Sequence, residues 1–419
     1  MTQMTVGIDF GTTNSALAVS LDGADPRLVG PLRSVLHFHD ERREPTGRLI
    51  PLVGPDAMDA CLEHRGDGRL IQSMKSFLAS PLFVSTNVYG TTYSLQTLIA
   101  CILRELRSQA EVRFGPVGTR AVVGRPVRFA GGGAAPDEDL ALLRLGEALR
   151  EAGFCELSFE YEPMAAALHY ERKLAEDALV LIGDFGGGTS DFSLMRVGPH
   201  QLAGGRRDES ILGNDGVAIA GDAFDGRIVR HLVSPHLGRG ETFRSLFDQV
   251  LPVPAFLYGH LERWNHISFL RSHRTLRLLY DLRREAVRRG PLDGLVHLVE
   301  NDLGFELYRA VQATKETLSE RQEAQFSFHD GPIAIEAAVS RADFESWITP
   351  ELDAIARCVD GLLAACGVPT NEVEHVFLTG GSSLVPAVRA IFVQRFGATR
   401  IDTGAEFTSV ARGLALSAT

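Results

Sequence analysis

The sequence predicts a duplicated α/β fold made of two related halves, and three observations lead there. Two glycine-rich segments repeat one pattern: residues 6–19 (VGIDFGTTNSALAV) and 181–194 (LIGDFGGGTSDFSL) each read as an apolar strand, Asp-Phe-Gly, a small polar turn and a second strand. Around the copies, helical and strand periodicities alternate. The chain is also long enough, at 419 residues with 45% hydrophobic, to bury a large core in more than one domain.

The elements follow in order. After the first hairpin, Leu98, Ile99, Ile102, Leu103 and Leu106 share a helical face, residues 121–123 form a short buried strand, and 140–152 are again helical. After the second hairpin come a helix over 223–232, a strand pair at 325–328 and 333–336, and one long helix over 341–365. A strand at 373–379 then leads through Gly380-Gly381-Ser382 into a helix to about 396 and a last helix reaching 416. Strands alternating with helices imply mostly parallel sheets covered on both faces. The expected division is residues 1–177 and 178–419, with a cleft between the halves. Residues 241–323 read as helical throughout, punctuated by Pro252, Pro254 and Pro291, and so as a helical subdomain inserted in the second half. The run 130–136 (AGGGAAP) reads as a flexible loop.

Composition narrows the function. A net charge of −11 argues against broad binding to nucleic acid or to anionic membranes. Five scattered cysteines without CxxC spacing fit a reducing compartment. The N-terminal residues lack a basic and apolar leader, and no stretch nears the ~20 apolar residues that span a bilayer, so a cytoplasmic location is expected. His37 and His39 flank Phe38 without a third ligand motif nearby and read as surface histidines.

Four segments carry the chemistry. Asp9-Phe10-Gly11-Thr12-Thr13-Asn14-Ser15 sets a carboxylate at a strand end before residues whose amides and hydroxyls suit an anion, with the Asp facing a hydrated cation. Asp184-Phe185-Gly186-Gly187-Gly188-Thr189-Ser190-Asp191 does the same with three glycines, where backbone alone can touch phosphate. Glu162-Pro163 opens a helix, because Pro suits the first turn, and leaves the Glu162 carboxylate at the helix mouth. Gly380-Gly381-Ser382 lies between strand and helix, where a flat ring or a phosphate can rest.

In this order, IDFGTTNS, the lysine of MKSFL, GRPV, EPMAAA, DFGGGTSDFS, AGDAFD, KETLS and LTGGSSLVP resemble the nucleotide-binding domain of the DnaK-type, seventy-kilodalton heat-shock chaperones, in particular a YegD-like branch that keeps the ATPase part only. The resemblance implies a duplicated actin-like ATPase (ribonuclease H-like) fold whose two lobes close on Mg-ATP. It implies that Asp9, Asp184 and Asp191 hold Mg2+ largely through water, that Thr12 and Thr13 touch the terminal phosphates, and that Gly11 and Gly186 to Gly188 wrap the phosphate chain. Lys75 would face the γ-phosphate and Glu162 would orient the attacking water, with Asp184 and Thr189 completing the catalytic set. Pro126 matches the family's switch proline. Gln312, Lys315 and Ser319 fall where the family contacts ribose and adenine, and Gly380, Gly381 and Ser382 where it supports the nucleoside.

Two departures stand out. The positions of two adenine-stacking arginines read Glu316 and Leu384, and a further acid is replaced by Phe407. Weaker base selectivity is therefore expected. The chain ends where the ATPase fold would end, so no client-binding domain is expected. Three function classes stay open: a chaperone-type ATPase that binds ATP and ADP, a small-molecule kinase of the sugar type, and a non-hydrolysing, nucleotide-dependent interaction module. For a protein partner, the arginine-rich stretch 271–289 on the helical subdomain is the candidate surface.

Overall fold

The structure, a computed structural model, describes residues 4–45, 47–63, 68–129, 137–171, 174–199, 210–245, 247–403 and 409–417. Both Asp-Phe-Gly segments are β-hairpins. In the first, β1 (Met4–Phe10) pairs antiparallel with β2 (Asn14–Leu21), in register from Met4 opposite Leu21 to Phe10 opposite Ser15. Strand β3 (Arg27–Arg33) extends the meander, while β4 (Arg120–Arg125) lies parallel to β1 and β5 (Glu156–Tyr161) parallel to β4. The second sheet repeats this topology. Its hairpin is β6 (Ala178–Phe185) with β7 (Ser190–Val197), extended by β8 (Ile211–Val217), and two parallel strands follow on the other side of β6, β9 (His375–Thr379) and β10 (Ile401–Thr403). The order is thus β3-β2-β1-β4-β5 in one sheet and β8-β7-β6-β9-β10 in the other. The sheets are mixed, not mostly parallel as the alternation suggested, because each begins with a tight-turn meander that only antiparallel strands can make.

The reading is a duplicated α/β fold in both sheets, and the helices explain how they are covered. Helices α1 (Leu95–Phe114) and α2 (Glu138–Glu151) bury Leu98, Ile99, Ile102, Leu103, Leu106, Leu145 and Leu149 in the core of the first sheet. Ser94 and Asp137 cap them by accepting the N–H groups of Thr97 and Leu140. The first sheet's other face meets a helix made of small residues: α6 (Ser409–Ser417) sets Ala411 and Ala415 against Ala16 and Ala18. It crosses α3 (Glu162–Glu171), whose Met164, Ala165, Ala166 and Ala167 pack with Val180, Ile182 and Met195. The crossing is close enough that a Cβ on Gly413 would stand 1.6 Å from the Ala165 carbonyl oxygen. The alanines of EPMAAA are therefore there to let two helices approach, and they fix where α3 begins.

Two compact units result: Met1–Ala220 with Asp353–Thr419, which holds both five-stranded sheets, and Gly221–Leu352. The second unit contains the helix Gly304–Glu320 and a hairpin of Glu323–Asp330 with Ile333–Ser340, longer than the sequence suggested. The stretch 241–323 is not helical throughout. Thr242–Arg244 and Val250–Pro252 form a short hairpin, turned by Asp248 at φ 54°, and Pro252 and Pro254 keep helix from starting before Ala255. The helix foreseen over 341–365 is two: α4 (Arg341–Trp347) and α5 (Thr349–Cys366), where Pro350 fits the opening turn of the second. His37 is not on the surface. It is 2% exposed, on a strand paired on both edges (Val35–Phe38), with Gly68 against its ring. The loop 130–136 and Phe407 lie outside the described residues.

Candidate active site

The site is built from strand ends in the first unit. Asp9 is the last but one residue of β1, Asp184 the last but one of β6, and Asp191, opposite Asp184 in the hairpin register, sits at the start of β7. Glu162 opens α3 directly after β5, and Lys75 sits on the 3-10 turn Met74–Phe77, which Ser73 begins in the left-handed region at φ 53°. These sequence-distant groups converge. Lys75 Nζ donates to Glu162 Oε1 at 2.7 Å, with the residues 9% and 4% exposed. Gly124 at the end of β4 makes room, since a Cβ there would come within 3.1 Å of Glu162 Cγ.

Among the described residues, four carboxylates, those of Glu162 and Asp191 buried and those of Asp9 and Asp184 half-buried, thus share one neighbourhood with Lys75. Burial, and then the negative charge of Glu162, push Asp9 and Asp184 up to about 8 and Asp191 to about 7. Bonds from the Thr189 side chain and the Arg128 backbone pull Asp191 part of the way back. Burial alone would lower Lys75, but Glu162 and Asp9 more than reverse it, and its pKa is raised. Such a set fits a bound cation, because a divalent ion supplies the positive charge that three reluctant carboxylates lack. Among the described residues, no group of three or more His, Cys, Asp or Glu is disposed to hold an ion directly. A hydrated ion, reached through its water shell, is the form the donor set suits.

The glycines separate into two kinds. At Gly11 and Gly380 the protein itself requires glycine, because a Cβ would lie 2.0 Å from the Asn14 carbonyl oxygen and 2.0 Å from that of Phe185, and Gly380 has φ +85°. At Gly186 and Gly188 nothing does: a methyl would meet only ordinary contacts, 3.5 Å from the Thr189 carbonyl oxygen and 3.8 Å from Thr12 Oγ1. That room is what a phosphate approaching the backbone would use. Ser76 Oγ stands 3.9 Å from the same point at Gly188, so the first turn, the second turn and the Lys75 turn meet there.

Other expected residues have more definite local roles. The Gly11 amide donates to Ser15 Oγ at 3.2 Å, its carbonyl accepts from Ser34 Oγ at 2.8 Å, and the Thr13 carbonyl accepts the Ser34 N–H at 2.9 Å. The Gly186 amide closes its own turn onto the Thr189 carbonyl. Ser382 Oγ donates to the Gly186 carbonyl at 3.4 Å, which joins the Gly380-Gly381-Ser382 turn to the phosphate-type loop. Gln312, Lys315 and Ser319 lie on Gly304–Glu320 in the second unit. There Lys315 Nζ is 2.8 Å from Asp225 Oδ1 and donates to the Gly221 carbonyl at 3.3 Å, and Ser319 Oγ donates to the Lys315 carbonyl. Glu316 and Leu384 are exposed.

Sequence reasoning missed the backbone at Asp191. Its Oδ1 accepts the N–H groups of Val127 and Arg128 at 3.0 and 3.4 Å. Gly216 on β8 allows this crowding, as a Cβ there would stand 2.7 Å from the same oxygen. Backbone amides carry no residue signature; only Pro126 hinted at a turn.

Two hairpin-led sheets, with carboxylates at corresponding strand ends and a glycine loop beside a buried Lys-Glu pair, define a nucleotide-binding α/β protein of the duplicated actin-like ATPase class. The family model described as Hsp70 protein matches residues 74–239 and 299–419. The chain belongs to the Hsp70 family, and with it to the ATP-binding, chaperone-like ATPases. No helix of the described residues is long and apolar enough to cross a membrane.

Proposed function

We propose that the chain is a magnesium-dependent ATPase that hydrolyses ATP slowly to ADP and phosphate without a covalent intermediate. The observation that carries this is Lys75 among four buried or half-buried carboxylates beside glycines that the protein does not itself require. Phosphoryl transfer asks mainly for positioning and charge stabilisation, and the residues here supply both. Asp9, Asp184 and Asp191 would hold Mg2+ through its waters; bound with the triphosphate, the ion neutralises phosphate charge. The amides of Gly186, Gly187 and Gly188 and the hydroxyls of Thr12, Thr13 and Thr189 serve the phosphate oxygens. Lys75 offers its charge to the terminal phosphoryl group. It also orients Glu162, and because it engages only Oε1, Oε2 is left to accept a bond from the attacking water. Gly380, Gly381 and Ser382 support the nucleoside.

For a partner, the reading is an acidic protein segment on the second unit. The seven arginines of 271–289 are all exposed, and they fall in the stretch 240–298 that the family model leaves unmatched. The pairs of Arg283 with Asp293 and of Arg284 with Asp281 are exposed on both sides and worth little each, so these cations remain available to a partner of opposite charge.

The test of the activity is phosphate release from ATP in Mg2+ and in excess EDTA. Slow, metal-dependent release supports it. Release that is unaffected by EDTA, or a phosphoryl group passed only to an added sugar-type acceptor, contradicts it.

A further inference from the structure

The turn at residues 126–129 supplies the two amides that hold Asp191, and it is itself fastened at unusual density. Arg125 Nη2 donates to Glu138 Oε2 at 2.8 Å, and its Nε donates to the Pro126 carbonyl at 3.3 Å. The other oxygen of Glu138 accepts the Phe129 N–H at 2.9 Å. The Arg125 guanidinium also lies over the rings of Tyr161, 4.9 Å from its centroid, and Phe129, at 5.8 Å. One carboxylate from the first turn of α2 thus binds both ends of the turn, and one planar cation fills the space between.

We propose that the Arg125–Glu138 pair is a positioning latch: it holds the turn at residues 126–129 so that the Val127 and Arg128 amides keep the Asp191 carboxylate aimed for the hydrated cation. Neither residue would touch nucleotide; both act through the backbone. The inference rests on the ATPase reading above.

A second fastening, Arg128 Nη2 to Asp215 Oδ1 at 3.0 Å, is less suited to the task. The Arg128 side chain is 66% exposed and that of Arg125 17%, and solvent screens the exposed pair. The Arg125 pair also has geometry on its side, since a guanidinium that stacks and bonds in its plane loses little freedom by doing so.

The test compares Glu138→Ala and Glu138→Gln with wild type in the full chain by two readouts. The first is hydrogen exchange at the Val127 and Arg128 amides in nucleotide-free protein. The second is the Mg2+ concentration that half-saturates ATP hydrolysis. In E138A the two amides should exchange about tenfold faster. Half-saturating Mg2+ should rise about tenfold, with turnover at saturating Mg2+ within about twofold of wild type. In E138Q, which keeps an acceptor for Phe129, both shifts should be about threefold or less. Arg125→Lys keeps the charge but loses the fork and the stack; it should behave like E138A and replaces it if E138A does not fold. A variant that lowers turnover or thermal stability while the amides and the Mg2+ requirement stay at wild-type values overturns the proposal. A wild type without Mg2+-dependent hydrolysis would remove the ATPase reading and leave the exchange comparison to decide the latch.

Discussion

Asp184 carries the sharpest consequence of the buried charge. Its pKa, near 8, exceeds the value of about 4 for a free carboxyl, so the folded chain keeps protons that the unfolded chain has lost. A group raised in this way contributes stability that is complete below about pH 4 and lost as pH rises through about 8. The same sign holds for Asp9 and Asp191. Metal-free protein should therefore lose stability from pH 5 to 8.5, and Asp184→Asn should recover on the order of 1–3 kcal/mol at pH 8.5 and markedly less at pH 5. Denaturant melts at both values check this; equal effects at the two would contradict it. Cation binding at pH 7 should also release protons, which calorimetry in buffers of different ionisation enthalpy would register.

At the scale of elements, the crossing of α3 and α6 governs where Glu162 stands. A Cβ at Gly413 meets the Ala165 carbonyl at 1.6 Å, an overlap that only backbone movement can relieve. Gly413→Ala should cost about 3 kcal/mol or more, at or above the upper end for overpacked cores, and should depress hydrolysis by moving Glu162 away from Lys75. Unchanged stability would mean that the helices are not held so closely. The hairpins, and with them the three aspartates, were legible in the sequence because Asp-Phe-Gly followed by small polar residues between apolar runs has few other foldings. Strand β8 was not, since Gly213, Asn214, Asp215 and Gly216 carry little strand preference and pair only because β7 offers an edge. The hairpin at 242–252 was hidden by its helical surroundings, and the burial of His37 by tertiary pairing on both strand edges.

For the whole molecule, phosphate chemistry and base recognition rest on different residues. The resemblance puts stacking arginines where Glu316 and Leu384 stand, each cation worth on the order of 0.5–2 kcal/mol, so on the proposed reading preference for ATP over GTP should be compressed about tenfold for every ~1.4 kcal/mol lost. Glu316→Arg with Leu384→Arg should restore it, and titration of both nucleotides on both proteins checks the shift. On the second unit, Arg274→Glu with Arg277→Glu should abolish binding of an acidic partner segment and leave hydrolysis unchanged, as a pull-down beside an ATPase assay would register. On the proposed reading, Lys75 serves the phosphoryl group and balances the carboxylates around it. Removing one partner of a buried pair is costly, so Lys75→Ala should be less stable than wild type without metal and should regain stability with Mg2+ and ADP. The most direct measurement is turnover of ATP by Lys75→Ala at nucleotide and Mg2+ concentrations where binding is shown to be saturated. Hydrolysis should fall at least a hundredfold while nucleotide stays bound, and wild-type turnover in that variant would contradict this role of Lys75.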